Sequence, residues 1–180
     1  MTDGVRGDRQ ILPQQLKPYP QIELCQGEEC IVHDNCNSPG KRPVYPEWTE
    51  RDRSWLDIKR WVNHSDGNYG TVCTAENDLV VIDSDEPEFK QYIESNLPET
   101  FTVRTANGHH VYYKAKNWSD NKRWSSPKGE IKAKNSQVAG PGSIHPTGQL
   151  YQIANDSPIH ELSNSDIEGL IAAVEDVECG

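Results

Sequence analysis

Hydrophobic and polar residues along the chain follow a helical period in two internal segments. In residues 46–62 the apolar side chains recur at helical spacing, which predicts a helix opened by Pro46 or Thr49. Residues 86–96 also carry one apolar face, and Asp85 is placed to cap that helix. Both segments are therefore predicted to be amphipathic helices that pack on a core.

Strands are predicted where short apolar or alternating runs are bounded by turn residues. Four runs have this pattern: residues 68–73, 79–82, 101–105 and 110–116. We expect the first two to pair as a hairpin through Asn77-Asp78 and the last two through Asn107-Gly108. After a polar loop over 117–128, further strands are predicted at 130–134 and 149–153. The order of elements indicates a mixed α/β (α+β) domain, because no βαβ unit repeats.

The length of the chain, 180 residues, fits one compact core. Residues 1–40 are predicted to form an N-terminal arm that is mostly irregular over 1–24. Residues 41–162 are predicted to form the main domain. Residues 163–180 are predicted to form a C-terminal helix, opened by a capping box at 165–168, that packs on this domain or leads out of it.

Composition excludes some classes of function. No stretch reaches the roughly 18 apolar residues of a membrane span, and residues 1–10 lack the apolar core of a secretory signal, so we expect a cytoplasmic protein without a membrane partner. The net charge of -10 argues against a simple nucleic-acid binder. Basic residues nevertheless crowd one segment: Lys114, Lys116, Lys122, Arg123, Lys128, Lys132 and Lys134.

Candidate chemistry begins at Asp83 and Asp85, which follow a buried strand and are separated by one residue. The two-residue period of a strand places both carboxylates on one face. Two adjacent carboxylates repel unless a cation lies between them, and oxygen ligands suit Mg²⁺ or Mn²⁺. The alternative is that Asp83 ends the strand and Asp85 caps the following helix.

Three elements that follow add polar groups. The hairpin at 105–113 carries His109 and His110, either of which could bind a phosphate or be an ordinary structural imidazole. The strand around Glu130 supplies a third carboxylate, or a charged sheet edge. The glycine-rich turn at 140–148 could hold an anion on its backbone amides with Ser143 and His145, or be a plain loop.

A separate segment gathers cysteine and histidine. Cys25, Cys30, His33 and Cys36 fit one tetrahedral Zn²⁺, whereas free thiols in a loop are the alternative. If zinc binds, its four positions are filled by protein, and it is structural.

In this order, the four elements from Asp83 to the glycine-rich turn resemble the N-terminal prim-pol domain of bifunctional DNA primase/polymerases. These plasmid, viral and archaeal proteins belong to the archaeo-eukaryotic primase superfamily. Their pattern is an acidic-x-acidic strand end, a T-x-S/N-G-x-H-h-Y-h hairpin, an h-D/E-h-K strand and a P-S-h-H-P-x-G turn. The resemblance covers roughly residues 41–162. Three further segments match family motifs: Gly40-Lys41-Arg42-Pro43, the predicted helix over 46–62 with its tryptophans, and Asn68-Tyr69-Gly70.

The resemblance implies an RRM-like catalytic sheet with a smaller N-terminal αβ subdomain, and template-directed nucleotidyl transfer by two metal ions. It implies these roles: Asp83, Asp85 and Glu130 as ligands of Mg²⁺ or Mn²⁺, His110 as the phosphate-binding histidine, and Thr105, Asn107, Lys132, Ser143 and His145 in the nucleotide pocket. The implied partners are dNTP or NTP, a single-stranded DNA template with primer, and a helicase in cis or in trans. This chain has Glu130 where Asp is more usual in the family.

Two other classes of function are open from the sequence. One is a non-catalytic module of the same fold that binds a nucleotide or single-stranded DNA. The other is a zinc-stapled interaction domain, in which the carboxylates are caps and the histidines are structural. Mg²⁺-dependent turnover separates the first from an enzyme, and a nucleotide-induced rise in melting temperature excludes the second.

Overall fold

Two sheets form the frame of the protein in the computed structural model, which describes residues 9–51 and 53–178. The strands in the described residues are β1 (Gln21–Gln26), β2 (Gly67–Cys73), β3 (Leu79–Ser84), β4 (Thr102–Arg104), β5 (His109–Lys114), β6 (Lys122–Ser125), β7 (Lys128–Lys132), β8 (Ser136–Ala139), β9 (Gln152–Asn155) and β10 (His160–Glu161). The helices are α1 (Trp55–Ser65), α2 (Pro87–Asn96) and α3 (Asn164–Glu178), with 3-10 turns at Gln14–Leu16 and Trp48–Glu50. The predicted mixed α/β class is confirmed.

The strands separate into a small and a large sheet. The small sheet has the order β1-β2-β8, and the large sheet has the order β6-β7-β3-β5-β4-β9. These neighbours are antiparallel, and β10 adds a parallel pairing at the end of β5. The acidic strand β3 therefore lies inside the large sheet, between β7 and β5.

Both faces of the large sheet are covered by apolar side chains. Val81 of β3 belongs to the core shared with the small sheet, whereas Val80 and Ile82 belong to the core shared with α2 and α3. Because successive side chains of a strand point to opposite faces, a strand covered on both sides needs a continuous apolar run. This explains the sequence of β3 up to Asp83, where the polar site begins.

The hairpin through Asn107-Gly108 is confirmed, since β4 and β5 pair and the Thr105 amide donates to the Gly108 carbonyl at 2.8 Å. The hairpin expected between residues 68–73 and 79–82 is wrong. The first run, β2, pairs with β1 and β8, whereas the second, β3, pairs with β5 and β7. The chain crosses between the sheets at a turn closed by the Asn77 side chain, which accepts from the Thr74 and Leu79 amides.

Three predicted helix starts are shifted by local capping. The first helix begins at Trp55, because the Ser54 side chain accepts from the Asp57 amide, and not at Pro46 or Thr49. Glu86, rather than Asp85, is the N-cap position of α2, and its side chain makes no capping bond. The capping box of α3 is Ser163 with Asp166, two residues before the predicted Ser165-Glu168 pair.

Part of the predicted N-terminal arm is regular structure. Residues 21–26 form β1, whose six residues are all buried, so the prediction of an irregular segment over 1–24 is wrong at its end. Its polar residues were misleading because, although buried, they pair with other polar side chains: Gln21 accepts from Thr71 at 2.9 Å, and Glu23 pairs with Arg53 at 2.8 Å. Strands β6 and β8 were also missed. Residues 1–8 of the arm and 179–180 of the C-terminal segment lie outside the described residues.

In the described part of the chain, no helix is long and apolar enough to cross a membrane.

Candidate active site

Four polar side chains form a row across the strands of the large sheet. Asp83 of β3 lies opposite Glu130 of β7 on one side and opposite His110 of β5 on the other. Arg123 of β6 lies opposite Glu130 and extends the row. Because directly opposite residues of antiparallel strands project from the same face, the four side chains share the face that packs against the small sheet.

This row lies in a cleft of about 370 Å³ between the two sheets. Asp85, which directly follows β3, also lines the cleft. The other side chains and backbone that line it come mainly from β7, from β8 and from two loops: Lys41, Trp124, Lys128, Gly129, Lys132, Gln137, Val138, Ala139 and Tyr151. The cleft thus combines three carboxylates with four basic side chains, Lys41, Arg123, Lys128 and Lys132.

Basic side chains neutralise two of the three carboxylates. Glu130 Oε2 lies 2.9 Å from Lys132 Nζ and 3.0 Å from a terminal nitrogen of Arg123. Asp85 Oδ2 lies 3.4 Å from Lys128 Nζ. The Lys132 side chain is 16% exposed, whereas those of Arg123 and Lys128 are 76% and 63% exposed. Lys132 is therefore a cation inside the cleft, and the other two stand at its mouth.

Asp83 carries a charge that its surroundings disfavour. Burial raises the pKa of its carboxyl, and Glu130 raises it further, against the opposing effect of Lys132, Lys41 and Lys128. A raised pKa means that the folded protein holds the ionised carboxylate less favourably than water does. A divalent cation would stabilise a carboxylate buried in this way beside two others. The oxygens of Asp83, Asp85 and Glu130 do not all lie within 4.8 Å of one another in the described structure, so it does not bring them together as one closed ligand set.

His110 is a neutral imidazole at physiological pH. Burial, with the positive charges of Lys132 and Lys41, lowers the pKa of His110 to about 3. Its Nε2 lies 3.6 Å from Asp83 Oδ1, and its ring stacks on Tyr151 at a centroid distance of 5.8 Å. The side chain can therefore offer one N–H hydrogen bond to a phosphate in a fixed orientation, but no positive charge.

Thr105 and Asn107 build the hairpin turn. The Thr105 hydroxyl accepts from the Gly108 amide at 2.9 Å, and Asn107 is exposed. Neither is among the described residues that line the cleft. A Cβ on Gly108 would lie 1.7 Å from the Ser84 carbonyl oxygen, so the turn packs directly on the end of the acidic strand.

The glycine-rich turn places its two predicted site residues differently. Ser143 is fully buried, and its hydroxyl bonds the amide and the carbonyl of Tyr69, each at 3.3 Å. It is not among the described residues that line the cleft. His145 lies nearer, since its ring centroid is 6.1 Å from that of Tyr151. Burial and Lys41 lower the pKa of His145, whereas Asp85 raises it, which places the ring within electrostatic reach of the cleft.

Several cleft residues were not assigned to the site from the sequence, among them Lys41, which was noted only as part of a family motif. Arg123 lies in a segment predicted as a loop, and Lys128 was noted only as part of a basic cluster. Tyr151 and Gln137 enter through the packing of the small sheet and its neighbouring loop against the large one. The one signal in the sequence was the cluster of basic residues between Lys114 and Lys134, which includes Arg123 and Lys128. Their place in the cleft depends on strand pairing with residues that are distant in sequence.

The cysteine and histidine side chains at the end of β1 and in the loop that follows it converge on one point. Ligand atoms of Cys25, Cys30, His33 and Cys36 all lie within 4.8 Å of one another, which no other group of this kind does among the described residues. Cys25 Sγ is 3.9 Å from Cys36 Sγ, and Cys30 Sγ is 3.2 Å from His33 Nδ1. Three sulfur atoms and one imidazole nitrogen can hold a metal ion in tetrahedral coordination.

The pKa values of two thiols in this cluster move in opposite directions. Burial raises the pKa of Cys25 to about 12. Burial also acts to raise the pKa of Cys30, but hydrogen bonds led by that from His33 outweigh it and lower the value to about 6. At neutral pH the Cys30 thiolate is thus a ready metal ligand, and binding of a cation would favour loss of the other protons.

Comparison with protein families gives one match. The model of the N-terminal domain of bifunctional DNA primase/polymerases matches residues 14–165. The match begins upstream of the expected main domain at residue 41, and it includes β1 and the cysteine cluster. No curated protein matches the chain.

Proposed function

The chain belongs to the family of bifunctional DNA primase/polymerases, N-terminal domain, and on this basis we propose that its cleft catalyses template-directed nucleotidyl transfer to DNA. The substrates are a dNTP or NTP and a primer on a single-stranded template. The observation that carries the proposal is the row of Glu130, Asp83 and His110 across three strands, with Asp85 beside it. This row offers carboxylates for cations and an N–H donor for phosphate in one cleft.

Asp83, Asp85 and Glu130 are the residues that would hold Mg²⁺ or Mn²⁺. The set fits these hard cations because it is made of oxygen donors, and because burial and Glu130 already disfavour a free charge on Asp83. When bound, the cations lower the pKa of the attacking hydroxyl and neutralise the charge that develops on the phosphates.

The cationic side chains of the cleft have a role of their own. Lys132 and Arg123 now bind Glu130, and Lys128 binds Asp85. Once the carboxylates are neutralised, the same ammonium and guanidinium groups can turn to phosphate oxygens, which are equally good acceptors. We assign Lys132, inside the cleft, to the triphosphate, and Arg123 and Lys128, at its mouth, to the outer phosphates or the DNA backbone.

His110 supplies orientation rather than charge. Since its pKa is lowered to about 3, it is neutral under assay conditions, and its N–H can donate to a phosphate oxygen. The stacked Tyr151 ring holds the imidazole plane. A fixed donor costs little entropy when the substrate binds, which is why a buried histidine suits this position.

Nucleotide binding is the first property to test, by thermal unfolding with dATP and Mg²⁺. At a ligand concentration one hundred times Kd, the free energy of unfolding is expected to rise by about 2.7 kcal/mol. Deoxyadenosine without phosphates serves as the control and is expected to give no shift. Equal melting temperatures with and without millimolar dATP would contradict a nucleotide site and would favour the interaction-domain alternative.

A non-catalytic nucleotide-binding module is the second candidate. The ion pairs that already neutralise Glu130 and Asp85 favour it, because carboxylates paired with basic side chains do not need a metal ion. Such a site can bind the phosphates of a nucleotide without catalysing a reaction. It shares the predicted thermal shift, and it differs in showing no Mg²⁺-dependent turnover.

We further propose that the ion held by Cys25, Cys30, His33 and Cys36 is Zn²⁺. The S₃N donor set suits zinc better than the oxygen-preferring cations of the cleft. Because four protein ligands complete a tetrahedron, no coordination position is left for a substrate, and the ion is structural.

A further inference from the structure

Lys41 is a cation of the cleft without a partner among the described residues. Arg123, Lys128 and Lys132 are each paired with a carboxylate, whereas the Lys41 ammonium makes no ion pair or hydrogen bond in the described part of the chain. Lys41 nevertheless lines the cleft. Its charge lowers the pKa of Asp83, of His110 and of His145, so it lies within electrostatic reach of the acidic row and of the glycine-rich turn.

The backbone around Lys41 is fixed from two sides. The Gln137 side-chain amide donates to the Lys41 carbonyl at 2.9 Å, and that of Asn68 donates to the Gly40 carbonyl at 3.0 Å. Gly40 has a φ of +74°, and a Cβ there would lie 2.7 Å from the Asn68 amide nitrogen. The turn therefore needs glycine, and its geometry aims Lys41 from a defined backbone position.

The same turn is tied to the cysteine cluster. The Lys41 amide donates to the Ser38 carbonyl at 3.2 Å, and that carbonyl also lies 3.8 Å from Cys25 Sγ. The Cys25 amide donates to the Arg42 carbonyl at 3.0 Å. Cys25 thus contacts the chain on both sides of Lys41.

The rest of this loop has little structure of its own. Between the end of β1 and the 3-10 turn at Trp48, residues 27–47 contain no helix or strand, apart from one bridge between Pro43 and Leu24. Irregular loops longer than about 12–15 residues are uncommon in compact domains. A metal ion that joins Cys25, on a buried strand, to Cys36 would close the first part of this loop, residues 27–36, just before the turn that carries Lys41.

We propose that Lys41 binds the phosphates of the nucleotide and that the metal held by the cysteine cluster positions it. The inference rests on the nucleotide site of the proposed function and deepens it, because it makes a structural metal outside the cleft a determinant of nucleotide affinity. A lysine on a fixed turn loses less freedom on binding a triphosphate than one on an open loop. Loss of the metal is therefore expected to weaken binding through Lys41.

The test is a double-mutant cycle on the dissociation constant for dATP with Mg²⁺, measured by calorimetry on the zinc-loaded full chain. Lys41→Met is expected to raise Kd roughly tenfold to a hundredfold, the range for one charge-assisted hydrogen bond. Lys116→Met, at an exposed lysine outside the cleft, is the matched control and should leave Kd unchanged. Cys36→Ser is expected to raise Kd in the wild-type background and to add less than about twofold to Lys41→Met.

If Cys36→Ser fails to fold, removal of zinc from the wild type and from Lys41→Met with a zinc-selective chelator takes its place in the cycle, because it removes the same metal without a substitution. An unchanged Kd for Lys41→Met, or effects that multiply in the double variant, would overturn the inference. Because Kd is measured apart from turnover, the two proposals can fail separately. If Lys41→Met raises Kd but the wild type extends no primer, only the catalytic proposal is defeated. If the wild type extends a primer but Lys41→Met leaves Kd unchanged, only the inference is defeated. Absence of dATP binding by the wild type defeats both.

Discussion

The protein that carries both Asp83→Asn and Asp85→Asn is expected to extend a primer at least about 10³-fold more slowly than the wild type, because metal-ion stabilisation of the transition state supplies several kcal/mol and each 1.36 kcal/mol is a factor of ten. An amide is neutral and binds Mg²⁺ or Mn²⁺ far more weakly than a carboxylate. Glu130 is then the one carboxylate left among the described residues that line the cleft.

The same variant is expected to unfold at no lower temperature than the wild type. Burial and Glu130 raise the pKa of Asp83, so at neutral pH, above the unfolded value, its ionised form is a cost to the folded state that an amide removes. The ion pair lost at Asp85 involves a Lys128 side chain that is 63% exposed, and such pairs contribute little to stability. Loss of activity with retained stability is typical of a functional carboxylate pair.

Asp120→Asn with Asp156→Asn is the matched control. Both residues are exposed, and only their backbone carbonyls take part in the hydrogen bonds described for them. This control should keep the wild-type rate and melting temperature. A large fall in melting temperature of the Asp83 and Asp85 variant would indicate instead that these carboxylates are structural.

Gly108→Ala is expected to destabilise the protein by about 3 kcal/mol, the upper part of the usual range for overpacking. A Cβ at Gly108 would lie 1.7 Å from the Ser84 carbonyl oxygen and 2.9 Å from Asp85 Cα. Both neighbours are backbone atoms at the end of the acidic strand, so no side chain can move aside. The hairpin must shift away from β3, which also displaces His110 from Asp83.

Gly169→Ala is the control for that substitution, since nothing lies within 4 Å of a Cβ at this position of α3. It is expected to stabilise the protein by up to about 1 kcal/mol, because alanine favours helix more than glycine does. Chemical denaturation of both variants measures the difference. A Gly108→Ala protein as stable as Gly169→Ala would show that the turn does not pack on β3 as described.

The predictable parts of the fold were those specified by local sequence. The Asn107-Gly108 turn, the continuous apolar run before Asp83 and the apolar face of α2 each lie within a dozen residues, and each has its predicted structure. The acidic pair was also a local signal, because strand periodicity alone places Asp83 and Asp85 on one side.

The remaining features depend on pairings between distant segments. Nothing local shows that Asp83 lies opposite Glu130, since this register follows from the order of β7, β3 and β5 in the sheet. The apolar runs of β2 and β3 predicted two strands, but they did not show which strands each one pairs with. The two were therefore predicted to form a hairpin with each other, whereas they lie in different sheets. Asn68 and Gln137, on strands β2 and β8, bind the turn that carries Lys41, and both lie far from it in sequence.

The most direct test of nucleotidyl transfer is extension of a labelled primer on a single-stranded template by the wild-type protein, with dNTPs or NTPs and with Mg²⁺ or Mn²⁺ either present or omitted. We predict template-directed extension that requires the divalent cation. Extension that persists without the cation would contradict the proposed role of Asp83, Asp85 and Glu130 as its ligands. No extension under any condition, by a folded protein that binds dATP, would contradict catalysis and leave the non-catalytic nucleotide-binding module.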